Sequence, residues 1–197
     1  MDFAIEKGLL RGARQIHSPN QSERPAELEV DLLVIHNISL PPGEFGGNFV
    51  EQLFCNKLDK SHHPYFCEIA HLEVSAHLYV DREGFVTQFV PFGQKAWHAG
   101  ESEFCGKPAC NDYSIGIELE GTDFEPFTKP QYEVLASISA LLMQTYPGLI
   151  LDRIVGHSDI APARKTDPGP YFDWVKYKAA LQEAIQTSVQ TSAQRSE

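Results

Sequence analysis

The stretch Val155-Gly156-His157-Ser158-Asp159-Ile160-Ala161-Pro162-Ala163-Arg164-Lys165-Thr166-Asp167-Pro168-Gly169-Pro170 sets a histidine at the end of a short apolar run and continues it as an irregular loop. That loop carries a lysine and an aspartate and closes on two prolines around a glycine, so it is stiff as well as chemically equipped. Far upstream, Leu32-Leu33-Val34-Ile35-His36-Asn37 ends a second β-rich apolar run on a histidine. Side chains at strand ends project into the cleft of an open α/β sheet. Two such histidines and a loop carboxylate would make a three-ligand zinc site with a free fourth position, which is the catalytic arrangement. Spacing alone does not bring His36, His157 and Asp167 together, because they lie far apart along the chain.

Working outward, residues 30–38 and 153–157 read as strands, the first short and apolar enough to be buried. In Ser114-Ile115-Gly116-Ile117-Glu118-Leu119-Glu120-Gly121 the alternation puts Ile115, Ile117 and Leu119 on one face and Glu118 and Glu120 on the other. Residues 75–80 and 84–90 alternate around Asp81-Arg82-Glu83-Gly84, a hairpin signal, and Ala96-Trp97-His98-Ala99-Gly100 reads as a short strand or its exit. Asn48 is placed to cap a helix whose apolar face is Val50, Leu53, Phe54 and Cys55. Thr128 and Pro130 open a longer helix that runs to about Tyr146, where Pro147-Gly148 stops it. An amphipathic helix from near Tyr171 carries Trp174, Val175, Tyr177, Leu181 and Ile185. Residues 18–29 read as a polar, Pro-interrupted lead-in. The expectation is one α/β domain over residues 1–187, with a central mixed β-sheet flanked by helices in three layers, and a polar, disordered tail over 188–197.

The chain has 197 residues, enough for a sizeable core, and its 42% hydrophobic and 11% aromatic content is that of a globular protein. A net charge of -11 argues against nucleic acid or an anionic membrane as the main partner, since both repel an acidic surface. Acidic residues near Met1 and the lack of a long apolar run predict neither a signal peptide nor a membrane span, and so a cytoplasmic protein. Cys55, Cys67, Cys105 and Cys110 fit that setting as reduced thiols, and their spacing is wrong for a zinc knuckle.

Several blocks resemble a known family. They are Val34-Ile35-His36-Asn37-Ile38-Ser39-Leu40-Pro41-Pro42-Gly43-Glu44-Phe45-Gly46-Gly47, His63-Pro64-Tyr65-Phe66, Val74-Ser75-Ala76-His77 and Ala96-Trp97-His98-Ala99-Gly100. To these are added residues 110–123, which include the acidic strand, and Lys165-Thr166-Asp167-Pro168-Gly169-Pro170-Tyr171-Phe172-Asp173-Trp174. Together, in order and over nearly the whole chain from about Leu9, they are similar to the AmpD-type 1,6-anhydro-N-acetylmuramyl-L-alanine amidases. These are a cytoplasmic branch of the zinc amidases related to T7-type lysozyme and the peptidoglycan recognition proteins. The resemblance implies a zinc hydrolase that cuts the amide between the lactyl group of anhydro-muramic acid and L-alanine. It implies a role in recycling imported wall fragments, and through their level an influence on β-lactamase induction. It assigns His36, His157 and Asp167 as Zn2+ ligands and Glu118 and Lys165 to chemistry. It aligns Asn37, Tyr65, Trp97 and Arg164 with the substrate groove. Glu73 and Ala163 depart from the residue types expected at their positions, which bears on peptide affinity.

The implied chemistry is physically coherent. Zinc held by two neutral imidazoles and one carboxylate lowers the pKa of water from about 15.7 toward about 7. Glu118 would take that water's proton and pass it to the departing nitrogen, typically about 10²–10⁴-fold of rate. Lys165 would set a positive charge beside the developing oxyanion, on the order of 3 kcal/mol. The partner is then a small muropeptide, with no obligate protein partner evident. The bland readings stand alongside. His62 and His63 fall in a polar turn and read as solvated, while His71 and His98 have no identifiable partner. His77 reads as a satisfied core histidine or a donor behind the metal ligands, and Glu120 as a structural or exposed acid. Tyr65 and Trp97 read as groove residues or core aromatics, and Arg164 as solvated or as a fork for a peptide carboxylate. Two other functions compete: a peptidoglycan-binding module that has lost hydrolysis, and a hydrolase of wider scope that accepts intact murein or non-anhydro muropeptides.

Overall fold

In the computed structural model, which describes residues 3–194, the apolar run and the alternating run, each a seven-residue strand, lie side by side in the middle of one sheet. In chain order the elements are β1 (Ala4–Glu6), β2 (Leu9–Arg11), β3 (Arg14–Gln15), β4 (Gln21–Glu23), β5 (Leu32–Ile38), α1 (Phe49–Phe54) and α2 (Phe66–Ile69). Then follow β6 (Leu78–Val80), β7 (Val86–Gln88), β8 (Gln94–Ala96), β9 (Glu103–Phe104), β10 (Lys107–Pro108) and β11 (Ser114–Glu120). The chain continues with α3 (Lys129–Thr145), β12 (Ile154–Gly156), α4 (His157–Ile160) and α5 (Trp174–Gln194). The main sheet has the order β12-β5-β11-β6-β7-β3. Its first four strands are parallel, β7 runs antiparallel to β6, and β3 parallel to β7, so the sheet is mixed as the sequence predicts.

Strand alternation assigns the two faces. Leu33, Ile35, Ile115, Ile117 and Leu119 join one core with Leu135, Ile138 and Leu142 of α3 and Tyr177 and Leu181 of α5. Leu32 and Val34 face the other way and pack with Ala99, Cys110, Tyr113 and Ile160. His36 and Glu118 belong to this second face by register. Parallel strands are covered on both sides. The polar face of β11 is accordingly buried too: Ser114 and Glu120 are as buried as the isoleucines. Glu120 is a structural acid, accepting from the backbone N–H of Gly46 at 2.5 Å and of Arg82 at 3.1 Å.

The helix signals stand with local corrections. Thr128 caps α3 reciprocally: its Oγ1 accepts from the Gln131 N–H, and Gln131 Oε1 accepts from the Thr128 N–H at 3.0 Å. Asn48 precedes α1 but does not cap it, because its Oδ1 is engaged by Gln52 Nε2 at 2.8 Å. In α5, Val175 is 81% exposed and falls off the buried stripe through Tyr177 and Leu181. That helix continues past residue 187 to Gln194, with Ser188 Oγ accepting from Gln144 Nε2 of α3 at 2.6 Å; residues 195–197 of the expected tail lie outside the described residues.

The expected lead-in over residues 18–29 is irregular outside β4, but its first part is pinned down by buried polar groups. β4 pairs with β8, Ser18 and Asn20 are buried, and Asn20 Nδ2 donates to the Val74 carbonyl at 2.8 Å. Arg24 donates to the carbonyls of Asn111, Asp112 and Ser114 at 2.8–3.1 Å, and burial pulls its pKa down to about 10. Its partners lie some ninety positions away, so no local pattern announces it. All four cysteines are free thiols. No described helix is long and apolar enough to cross a membrane.

Candidate metal centre and groove

Parallel pairing sets the site's positions. His36 and Glu118 are register partners on β5 and β11, and Gly156 of β12 is the partner of Ile35. His157 therefore leaves the sheet beside His36, at the carboxyl ends of the parallel strands, where open α/β sheets hold ligands. His157 is not in a strand, as expected, but is the first residue of α4; Asp159 Oδ2 accepts from the Gly156 N–H at 2.7 Å and turns the chain there. The loop beyond returns Asp167 to the same spot, its carbonyl accepting from the Ser158 N–H at 2.9 Å.

Three donor atoms converge. His36 Nδ1 lies 3.0 Å from His157 Nδ1 and 2.9 Å from Asp167 Oδ2, and His157 Nδ1 lies 3.1 Å from the same oxygen. The proton count is the test of what belongs here. His157 Nε2 donates to the Ala99 carbonyl at 3.0 Å, so in the neutral ring Nδ1 carries a lone pair. Asp167 contributes only lone pairs when ionised. Burial pushes its carboxyl up, but the close His157 and His36 rings, with at most one proton between their Nδ1 atoms, outweigh this and hold it well below the usual range. Burial pulls His36 down to about 4, against the attraction of Asp167. At most one proton is thus shared among three mutually close lone pairs, a set short of positive charge that suits a cation. Two imidazoles and one carboxylate are a zinc donor set.

Glu118 Oε2 is shut off from solvent without a hydrogen-bond partner. Burial raises its carboxyl well above the ordinary value; the negative charge of Asp167 adds to this and the positive charge of Lys165 opposes it. A cavity of about 740 Å³ opens onto these groups, lined by Glu118, Lys165, His157 and Asp167 and also by Asn37, Tyr65, Trp97 and Arg164. Of the nine residues assigned to metal, chemistry or groove, all but His36 therefore line one cavity, and His36 lies beneath it, in contact with His157, Asp167 and His98, which do. Asn37 Nδ2 donates to Asp123 Oδ1 at 2.7 Å, and Trp97 Nε1 to Ser22 Oγ at 3.2 Å. Arg164 spends Nη2 on the carbonyls of Ala99 and Glu101 at 2.7 and 2.8 Å, so part of the expected carboxylate fork is a loop clamp. Glu73 and Ala163 are both exposed, beside lining residues.

Sequence reasoning missed two residues here. Asp123 positions Asn37, and His98, which lacked an identifiable partner, lies 2.9 Å by Nδ1 from His36 Nε2. The signal for His98 was its place in the Trp97-His98-Ala99 block. His77 is a satisfied core histidine: Nδ1 accepts from the Gly116 N–H at 3.0 Å, and Nε2 donates to the Gln94 carbonyl at 3.1 Å.

Comparison with known proteins agrees with this geometry. A family model described as N-acetylmuramoyl-L-alanine amidase matches residues 26–170. The 1,6-anhydro-N-acetylmuramyl-L-alanine amidase AmpD of Haemophilus influenzae is 52% identical over 178 residues, 90% of this chain and 97% of its own. A crystal structure of an Se-Met AmpD derivative superposes with a TM-score of 0.88 at 50% identity, covering 90% of this chain and 98% of that one. The amidase AmiD of Escherichia coli, solved in complex with anhydro-N-acetylmuramic acid-L-Ala-D-gamma-Glu-L-Lys, superposes with a TM-score of 0.57 at 26% identity, over 90% of this chain and 65% of that one. The chain belongs to the N-acetylmuramoyl-L-alanine amidases, in their AmpD-type branch.

Proposed function

We propose that this amidase is zinc-dependent and hydrolyses the bond between the lactyl group of 1,6-anhydro-N-acetylmuramic acid and L-alanine in small muropeptides. The observation that carries the reading is the convergence of His36 Nδ1, His157 Nδ1 and Asp167 Oδ2 beside the unpaired Glu118 Oε2. His36, His157 and Asp167 would hold the metal. Bound there, zinc supplies Lewis acidity, polarising the carbonyl and making water a usable nucleophile near neutral pH. Glu118 takes the proton from the attacking water at Oε2 and delivers it to the departing alanine nitrogen. Its raised pKa brings it closer to the operating pH than an ordinary carboxylate. Lys165 places its charge beside the developing oxyanion. Tyr65 and Trp97 offer flat faces to the substrate, while Asn37 and Arg164 hold the groove walls through Asp123 and Ala99.

AmiD is solved with an anhydromuramyl peptide in it, which supports the same substrate class here. A small diffusing ligand suits a chain of net charge -11 better than a polyanionic wall polymer does. The setting we infer is cytoplasmic recycling of wall fragments, with β-lactamase induction responding to their level, and with no nucleic acid, membrane or obligate protein partner. The test is to incubate zinc-loaded and chelator-stripped protein with anhydro-muropeptide and with its reducing counterpart, detecting free peptide by mass. Release should require zinc and favour the anhydro form. Equal release after stripping removes the metal from the reading; no release from either substrate removes the activity.

A further inference from the structure

Each of the two ligand imidazoles uses its outer nitrogen as well as its inner one, and both outer partners come from a single dipeptide. His36 Nε2 lies 2.9 Å from His98 Nδ1, and His157 Nε2 lies 3.0 Å from the carbonyl of Ala99. That dipeptide is built in. Asn111 Oδ1 accepts from the N–H groups of both His98 and Ala99, at 3.1 and 2.8 Å, and Arg164 Nη2 holds the Ala99 carbonyl from the far side. The His98 ring rests on Gly116, where a Cβ would fall 2.4 Å from His98 Cγ; only a glycine leaves room for it. The outer nitrogen of His98, Nε2, meets Ser114 Oγ at 3.1 Å.

The row Ser114 Oγ, His98, His36 admits two directions of hydrogen bonding. In one, the Ser114 hydroxyl donates to His98 Nε2 and His98 Nδ1–H donates to His36 Nε2. Neutral His36 then bears its proton on Nδ1, which cannot ligate a metal. In the other, His36 Nε2–H donates to His98 Nδ1 and His98 Nε2–H donates to Ser114 Oγ, leaving a lone pair on His36 Nδ1. We propose that the His98–Ala99 dipeptide is the positioning element of the metal centre, with His98 accepting from His36 Nε2 to select the ligating tautomer while the Ala99 carbonyl does the same for His157. His98 is a positioning residue; it acts on the reaction only through His36. Outer partners of this kind fix ring orientation and raise ligand basicity.

The inference rests on the zinc reading, and its test separates the two. Zinc affinity is measured by chelator competition for the full-length wild-type protein, His98→Ala, His98→Asn and His98→Phe. If the wild-type protein binds no zinc, the metal reading fails. If it binds, His98→Ala and His98→Phe should weaken binding about 10–100-fold, and His98→Asn, whose Oδ1 can stand near the lost Nδ1, should recover much of the loss. Rescue by Phe and not by Asn, or unchanged affinity in all three, overturns the proposal by reducing His98 to packing. Should the variants not fold, the wild-type protein still decides: imidazole ¹⁵N NMR of the zinc-loaded form must show His98 protonated on Nε2, and protonation on Nδ1 overturns the assignment.

Discussion

Replacing Glu118 by Gln removes one charge and almost no volume, and the site's geometry assigns the change opposite effects on stability and on turnover. Oε2 of Glu118 is buried without a partner, so the ionised carboxyl bears an uncompensated desolvation cost of about 1–3 kcal/mol. Asp167 adds to that cost and Lys165 subtracts from it. Because the folded value lies above the ordinary glutamate value of 4.5, the folded state holds more protons than the unfolded state at any pH between the two. The wild-type protein therefore loses stability, relative to Glu118→Gln, as pH rises through that window. Near pH 3 the two should match, since the glutamic acid is then almost wholly neutral in both states. Above the raised value, metal-free Glu118→Gln should be the more stable by about 1–3 kcal/mol, roughly 2–4 °C in Tm per kcal/mol at this size. Turnover of the zinc-loaded variant should fall about 10²–10⁴-fold. Urea titrations of both chelator-treated proteins at the two pH values, with peptide-release assays, give both readouts. A metal-free variant less stable than the wild-type protein at the higher pH would refute the argument from the unpaired oxygen, and undiminished turnover would refute the base assignment.

Asp167→Asn keeps shape but removes the anionic ligand; zinc retained on dialysis, measured by atomic absorption, should drop to background, whereas Glu118→Gln should keep it. Thr128→Ala strips the α3 cap and also the hydroxyl's 2.7 Å bond to the Arg82 carbonyl, so chemical denaturation should show a loss of about 1–3 kcal/mol. Gly116→Ala drives a methyl into His98, with contacts of 2.4–2.7 Å where about 3.5–4.0 Å is comfortable. It should cost roughly 1–3 kcal/mol and weaken zinc binding as well; a variant of wild-type stability would mean that the ring moves aside freely.

The legible part of this protein was whatever repeats within a few residues. The apolar runs ending in His36 and His157, the turn at Asp81 and the helix start at Thr128 and Pro130 announce themselves locally, because strand period, turn chemistry and helix initiation are short-range effects. The same locality explains the gaps. Glu120 read equally as a structural or an exposed acid because nothing nearby reveals that β5 and β6 flank its strand and that both faces are covered. Within the polar residues 18–29, the anchoring role of Arg24 went unseen because the carbonyls it satisfies are supplied by residues around 111–114.

The sequence by itself singled out the side chains proposed for the chemistry, through the blocks that resemble a known family, and showed that two of them end β-rich runs, since residue type and short-range period are written along the chain. Only the tertiary structure decided that they meet. Parallel pairing of β5 with β11 and β12 puts His36, Glu118 and His157 side by side, and the loop closing on Pro168 returns Asp167 to them. It alone gave His98 a partner. Hydrogen-bond direction and burial, which set the protonation of His36, Glu118 and Asp167, depend on neighbours that are distant in sequence and adjacent only once the sheet has formed.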